Sequence, residues 1–286
     1  MPSRGQKHLN PQTGRTRRIL QRVLLFVLLV VFCLSAYFLW SELHRKDASE
    51  KAYDALSRSV RTEHSRPVVL PPVMVDGETP APEAETPAPP AFTMDFDALL
   101  AENEDTVGWL TVPAADIDYP IVQGETNDTY LNDSFWHVTD WIGVPFVDAR
   151  IRADFAQYNT IIYGHAITKG AMFTKLTQLK DPAVVEQHPF IYLYTPDGLV
   201  RIYRIYGTHT AEAVSMSFWT DYQSTADFED YLAHCKSVQD YDTGITASPS
   251  DRILTLVTCE DDRAYRFVVQ ARLVYEMEAS EAPLPQ

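Results

Sequence analysis

From Val23 to Trp40 the chain reads VLLFVLLVVFCLSAYFLW, without a charged residue. In lipid such a run must satisfy its own backbone amides, and only an α-helix does so within one segment. That helix is about 27 Å long, close to the hydrocarbon thickness of a bilayer. Arg4, Lys7, Arg15, Arg17, Arg18 and Arg22 precede it, and no acid does. The positive-inside rule keeps this end in the cytoplasm and sends everything after Trp40 outside. The competing reading is a cleaved signal peptide, with a shorter apolar core and a small-x-small cleavage site. No convincing site precedes SELHRK at Ser41–Lys46, and the bulky Phe32 argues against lipidation of Cys33. The expectation is an uncleaved, single-pass anchor in the cell membrane with an extracellular domain.

The 286 residues carry a net charge of −15, and because basic residues crowd the N-terminal end, the remainder of the chain is more acidic than that sum. Such a surface excludes nucleic acid as a partner. It also excludes docking of the globular part on anionic lipid, leaving the apolar helix as the membrane contact. The expected organisation is a basic cytoplasmic N-terminus (1–22), a membrane anchor (23–40), a stalk helix (41–66), a Pro-rich linker (67–91), a catalytic domain (92–278) and a short tail (279–286). The stalk has a thin apolar stripe, Leu43, Ala52, Leu56 and Val60. The linker, rich in Pro, Glu, Thr and Ala, predicts a stiff polyproline-like spacer.

The domain holds many short β segments: Gly108–Val112, Tyr119–Val122, Thr160–Tyr163, Phe190–Tyr194, Val200–His209, Arg252–Thr258 and Tyr265–Glu276. Turn formers such as TPDG at Thr195–Gly198 separate them. Helices are predicted at Phe96–Asn103, Met172–Leu179, Pro182–Gln187 and Thr225–Val238. A mainly β domain with peripheral helices suggests a closed barrel or a sandwich.

LTLVTCEDDRAYRFVV, Leu254–Val269, places Cys259 after an apolar run, with acids and a second apolar run behind it. A free cysteine packs like a small hydrophobe, so the residue alone proves nothing. Alternation puts Thr255, Val257 and Cys259 on one strand face, and Arg266, Val268 and Gln270 on one face of the returning strand. In an antiparallel hairpin Arg266 sits opposite Cys259, with Cβ atoms about 5 Å apart. A guanidinium there favours the thiolate and can stabilise an oxyanion. Arg263 is the rival, but lies in the acidic turn. Among His137, His165, His188, His209 and His234, His165 stands out because NTIIYGH is an apolar strand ending in Gly164 and then the ring. A structural role for it stays open on periodicity alone. Cys235 could pair with Cys259 or stay reduced. Neither lies in a CxxC pair of the kind that binds zinc.

TLVTCE at Thr255–Glu260 resembles the sortase signature TLxTC, IIYGH at Ile161–His165 the strand carrying the sortase histidine, and RFVVQARL at Arg266–Leu273 the strand opening with its arginine. VGWLTVP, IDYPIVQGETNDTYL, GVPFVDAR, IYLYTPDG and YDTGITASPSDRILTL extend the likeness over nearly the whole domain, most closely to class B. The resemblance implies a closed barrel of about eight strands with added helices, and a transpeptidase of Gram-positive surfaces needing no metal or cofactor. Cys259 would attack a carbonyl of a C-terminal sorting signal (NPQTN- or LPXTG-like) of a secreted protein. A cell-wall amine, from a peptidoglycan precursor, would resolve the thioacyl-enzyme. His165 would serve as acid and base, and Arg266 would steady substrate or oxyanion.

Asn127 and Leu131 match positions lining the sorting-signal groove, though helix capping and core packing explain them equally well. Thr258 and Glu260 flank the thiol, and Phe218 is expected in the groove wall. Class B members often carry serine where this chain has Val257, so pocket preference does not transfer. NPQTG at Asn10–Gly14 itself looks like a sorting signal, but falls on the cytoplasmic side and is read as coincidence. Two other functions remain open: a pilin-polymerising sortase using a pilin lysine, and an inactive surface-binding module of the same fold.

Overall fold

The computed structural model describes residues 11–63, 92–139, 142–166, 171–259 and 264–279. The Pro-rich segment 67–91, Glu260, Arg263 and residues 280–286 lie outside them, as does Asn10 of the NPQTG stretch.

Helix α1 runs without interruption from Pro11 to Val60. Its stretch Leu20–Ser41 is long and apolar enough to cross a membrane, and the large side chains along it are exposed. By contacts the chain divides into a unit ending at Ala52 and a second from Tyr53 to Gln286. The second therefore begins inside α1, where Tyr53, Leu56 and Val60 are buried. Their spacing puts them on one helical face. The stripe expected on a stalk is thus, in its last turns, core of the globular unit. Strand β1 (Arg61–Glu63) comes immediately after α1 and pairs antiparallel with β2 (Phe92–Met94), Arg61 facing Met94 and Glu63 facing Phe92. Arg61 lies over the Phe92 ring at 3.9 Å and donates to Asp118 Oδ2 at 2.6 Å.

Helix α2 (Phe96–Glu102), capped by the Asp95 carboxylate, leads into β3 (Thr106–Val112) and β4 (Ile117–Val122). Then come β5 (Phe146–Val147), β6 (Asn159–Gly164), α3 (Pro182–Gln187), β7 (Phe190–Tyr194), β8 (Leu199–Glu212), α4 (Thr225–Ser237), β9 (Ile253–Cys259) and β10 (Tyr265–Glu278). Strands β3 to β10 close a barrel in the order β10-β8-β7-β3-β4-β5-β6-β9. Closure depends on two parallel contacts, β4 with β5 and β6 with β9, among antiparallel ones. Leu110, Ile162, Leu193, Ile205, Leu254, Leu256, Phe267 and Val269 form part of one buried cluster.

Where a helix was expected at Met172–Leu179, a 3₁₀ segment spans Thr174–Lys180. Met172 stands at φ 53, outside helical space, so no helix starts there. Thr174 and Thr177 hydroxyls then bond carbonyls three residues back, to Ala171 and Thr174, which favours the tighter turn.

This topology sets up the site. In the parallel ladder Gly164 of β6 pairs with Thr258 of β9, so His165 and Cys259 each come next at the same end of adjacent strands. In the antiparallel ladder Arg266 of β10 is the partner of Cys259.

Candidate active site

A cleft of about 200 Å³ opens at that end, lined by Asn127, Asp128, Leu131, Phe146, Tyr163, Gly164, His165, Val257, Thr258 and Arg266. Strands supply most of it: β6 brings Tyr163 and Gly164 and leads to His165, β9 brings Val257 and Thr258, and β10 opens with Arg266. The segment after β4 contributes Asn127, Asp128 and Leu131. Of the residues singled out in the sequence, Asn127, Leu131, His165, Thr258 and Arg266 meet in this one cleft. Cys259 comes directly after its two wall residues in β9, across the ladder from Arg266.

His165 is half-buried, and its Nε2 contacts the Leu131 carbonyl. Its own carbonyl accepts from Phe173 N at 2.9 Å. Behind the ring, Gly143 has φ +66, and a Cβ there would lie 2.9 Å from His165 Cδ2. Glycine is needed at 143 both for its backbone and for the space the imidazole takes. Arg266 Nη1 donates to its neighbour's carbonyl, Tyr265 O, at 2.9 Å.

Asn127 does two jobs. It lines the cleft and also accepts from Ala149 N at 2.7 Å, with its amide 3.3 Å from Asp148 Oδ1. Asp148, whose side chain is wholly buried, takes hydrogen bonds from Arg150 and Tyr163 as well. Burial drives its carboxyl up, but the Arg150 hydrogen bonds and charge outweigh it, so its pKa falls below the ordinary value. Burial and the Asp148 charge raise the Tyr163 phenol, which stays protonated as a donor. Composition alone gave no signal for Asp148: an acid beside an arginine in GVPFVDAR reads as a surface pair.

Phe218, expected in the groove wall, does not line the cleft. Its carbonyl accepts from Arg150 Nη2 at 3.2 Å, behind the Asp148 cluster. The short 3₁₀ turn Met216–Phe218 is held by Ser215 and by the Ser217–His209 bond of 2.8 Å, which draws Phe218 to that second layer. His209 is buried there, and desolvation with the neighbouring His234 pushes it down to about 4. Cys235 carries a free thiol on the buried face of α4. Among the described residues no group of His, Cys, Asp or Glu could hold a metal ion.

The closed mixed barrel thus brings a histidine and an arginine to one strand-end cleft beside the position of a cysteine. The Sortase domain model matches residues 110–274. The chain is 38% identical over 183 residues to Sortase B of Listeria monocytogenes, covering 60% of this chain and 71% of that protein. Against Sortase B of Staphylococcus aureus it is 29% identical over 182 residues, covering 63% and 74%. The solved Staphylococcus aureus sortase B–substrate complex superposes with a TM-score of 0.59 at 28% identity, covering 63% of this chain and 84% of that one. The chain belongs to the sortase family, within class B.

Proposed function

We propose that this transpeptidase cleaves a C-terminal sorting signal of a secreted protein and joins the protein to a cell-wall amine. The Cys259 thiolate attacks the scissile carbonyl, forming a C–S bond. His165 protonates the departing amine as the C–N bond breaks, leaving a thioacyl-enzyme. An acceptor amine, deprotonated by His165, then attacks the thioester and releases the thiolate. Arg266 favours the thiolate and donates to the oxyanion. Asn127, Leu131 and Thr258 form the wall against which the peptide lies, and Glu260, next in sequence after Cys259, is a further candidate for peptide contact. Phe218 acts only through Arg150. The apolar helix anchors the chain with its N-terminus in the cytoplasm and the barrel outside.

The single observation supporting this reading is the convergence of His165, Thr258 and Arg266 on one cleft, with Cys259 and Arg266 as ladder partners. The test uses the full chain in detergent micelles with NPQTN, NPQTG, LPQTG and SPKTG peptides, with and without added amine. The expected result is a thioacyl adduct by mass spectrometry, absent in Cys259→Ala, and a transfer product that grows with amine. Preference for a pilin lysine over a peptidoglycan amine would move the chain to the polymerising class. Absence of any adduct would make it a binding module.

A further inference from the structure

We infer that Tyr53, in the last turns of α1, is a positioning residue for His165. The inference rests on the reading of His165 as the acid/base. Two stretches of chain hold that histidine. The first, Leu131 to Gly143, touches the ring from two sides: the Leu131 carbonyl meets Nε2, and the Gly143 backbone fits against Cδ2 so closely that a Cβ would stand 2.9 Å away. The second, Ala171 to Phe173, holds the backbone, through Phe173 N on His165 O and the bridge between Ala166 and Met172.

Tyr53 reaches both. Its hydroxyl donates to Gly143 O at 2.8 Å and accepts from Phe135 N at 3.1 Å, tying together two points of the first stretch. Its ring packs edge-on against Tyr119 with centroids 5.5 Å apart, and the Tyr119 hydroxyl accepts from Met172 N at 3.3 Å in the second. Trp136, also in the first stretch, lies 5.2 Å from the Tyr53 ring. Asn103 adds one further bond, to Phe135 O, but does not touch Gly143. Tyr53 is 3% exposed. A proton-transfer group displaced by about 1 Å loses on the order of a hundredfold in rate, so a brace on both holders bears on turnover rather than on peptide affinity. By this account the Tyr53 hydroxyl positions the acid/base.

The test compares Tyr53→Phe, Leu56→Ala and His165→Ala in the full chain in micelles, reading kcat and KM for amine-dependent transfer alongside melting temperature. Tyr53→Phe keeps the ring and removes the hydroxyl. It should lower kcat about tenfold, with KM held within about twofold. Leu56→Ala removes a buried side chain of the same helix face that makes no hydrogen bond to either stretch. It should lower the melting temperature and keep kcat. A Tyr53→Phe enzyme with wild-type kcat beside an inactive His165→Ala would overturn the inference and leave the role of His165 standing. A matching loss of kcat in Leu56→Ala would also overturn it, reducing Tyr53 to a packing residue. Full activity in His165→Ala would remove the underlying reading itself.

Discussion

Arg150 grips Asp148 twice, Nη2 on Oδ2 at 2.5 Å and Nε on Oδ1 at 2.9 Å, and so holds a buried carboxylate directly behind the cleft. Asn127 and Tyr163, both wall residues, hang on the same carboxylate. Breaking a buried pair costs about 3–5 kcal/mol, and the half-exposed Arg150 reduces that to about 2 kcal/mol. Asp148→Asn should lose that much in urea denaturation at neutral pH and also weaken peptide binding. Because the folded carboxyl lies below its unfolded value of 3.8, its contribution is whole above that pH and drains away as the pH falls through the folded value. The wild type should therefore show an acid-unfolding limb below about pH 4 that is shallower in Asp148→Asn.

Arg266→Lys tests the forked donor. Lysine keeps the charge but offers a single flexible ammonium, which cannot present two fixed N–H groups to one oxygen. Losing an oxyanion donor typically costs about a hundredfold to a thousandfold in kcat. A fall of that size is expected in steady-state transfer assays, with the fold unchanged by circular dichroism. Near wild-type turnover would hand the role to Arg263 or to backbone amides.

Gly143 and Gly198 form a matched pair. Both have positive φ, +66 and +81, but a Cβ at 143 meets His165 while one at 198 meets nothing within 4 Å. Each alanine substitution costs about 1 kcal/mol from backbone conformation alone. Gly198→Ala should stop there, with transfer kinetics intact. Gly143→Ala should in addition lose turnover by at least about tenfold, since the imidazole must move.

Cys235 should be chemically silent. It is fully buried, accepts a bond from Gln270 Nε2 at 3.0 Å, and desolvation pushes its thiol up to about 11. A thiol held protonated does not attack alkylating reagents. In folded Cys259→Ala, iodoacetamide at neutral pH should leave Cys235 unlabelled until denaturant is added, as read by peptide mass mapping.

Much of the barrel was legible because short runs rich in β-branched and aromatic residues are separated by turn formers. Phe190–Tyr194 and Pro182–Gln187 begin and end where the pattern placed them. The convergence of Asn127, Leu131, His165, Thr258 and Arg266 was legible too, but mainly through resemblance. Periodicity by itself could not tell His165 from the buried His209. What stayed hidden depends on distant pairing. Two-residue β5 has too little length for a pattern, and three-residue β1 and β2 are marked as strands only by each other. The second layer of Arg150, Asp148 and Phe218 joins residues far apart in sequence, and nothing local announces a carboxylate that will be buried.

The pairing of β1 with β2 changes what the Pro-rich segment can do. Glu63 and Phe92, the residues that flank it, are ladder partners, so the stretch leaves and re-enters the fold at one place. Tyr53, Leu56 and Val60 of α1 are buried in the globular unit ahead of that stretch. The length of residues 64–91 therefore bears on the closure of a loop between two paired residues. Halving or doubling that length would alter the closure free energy by only about 0.6 kcal/mol.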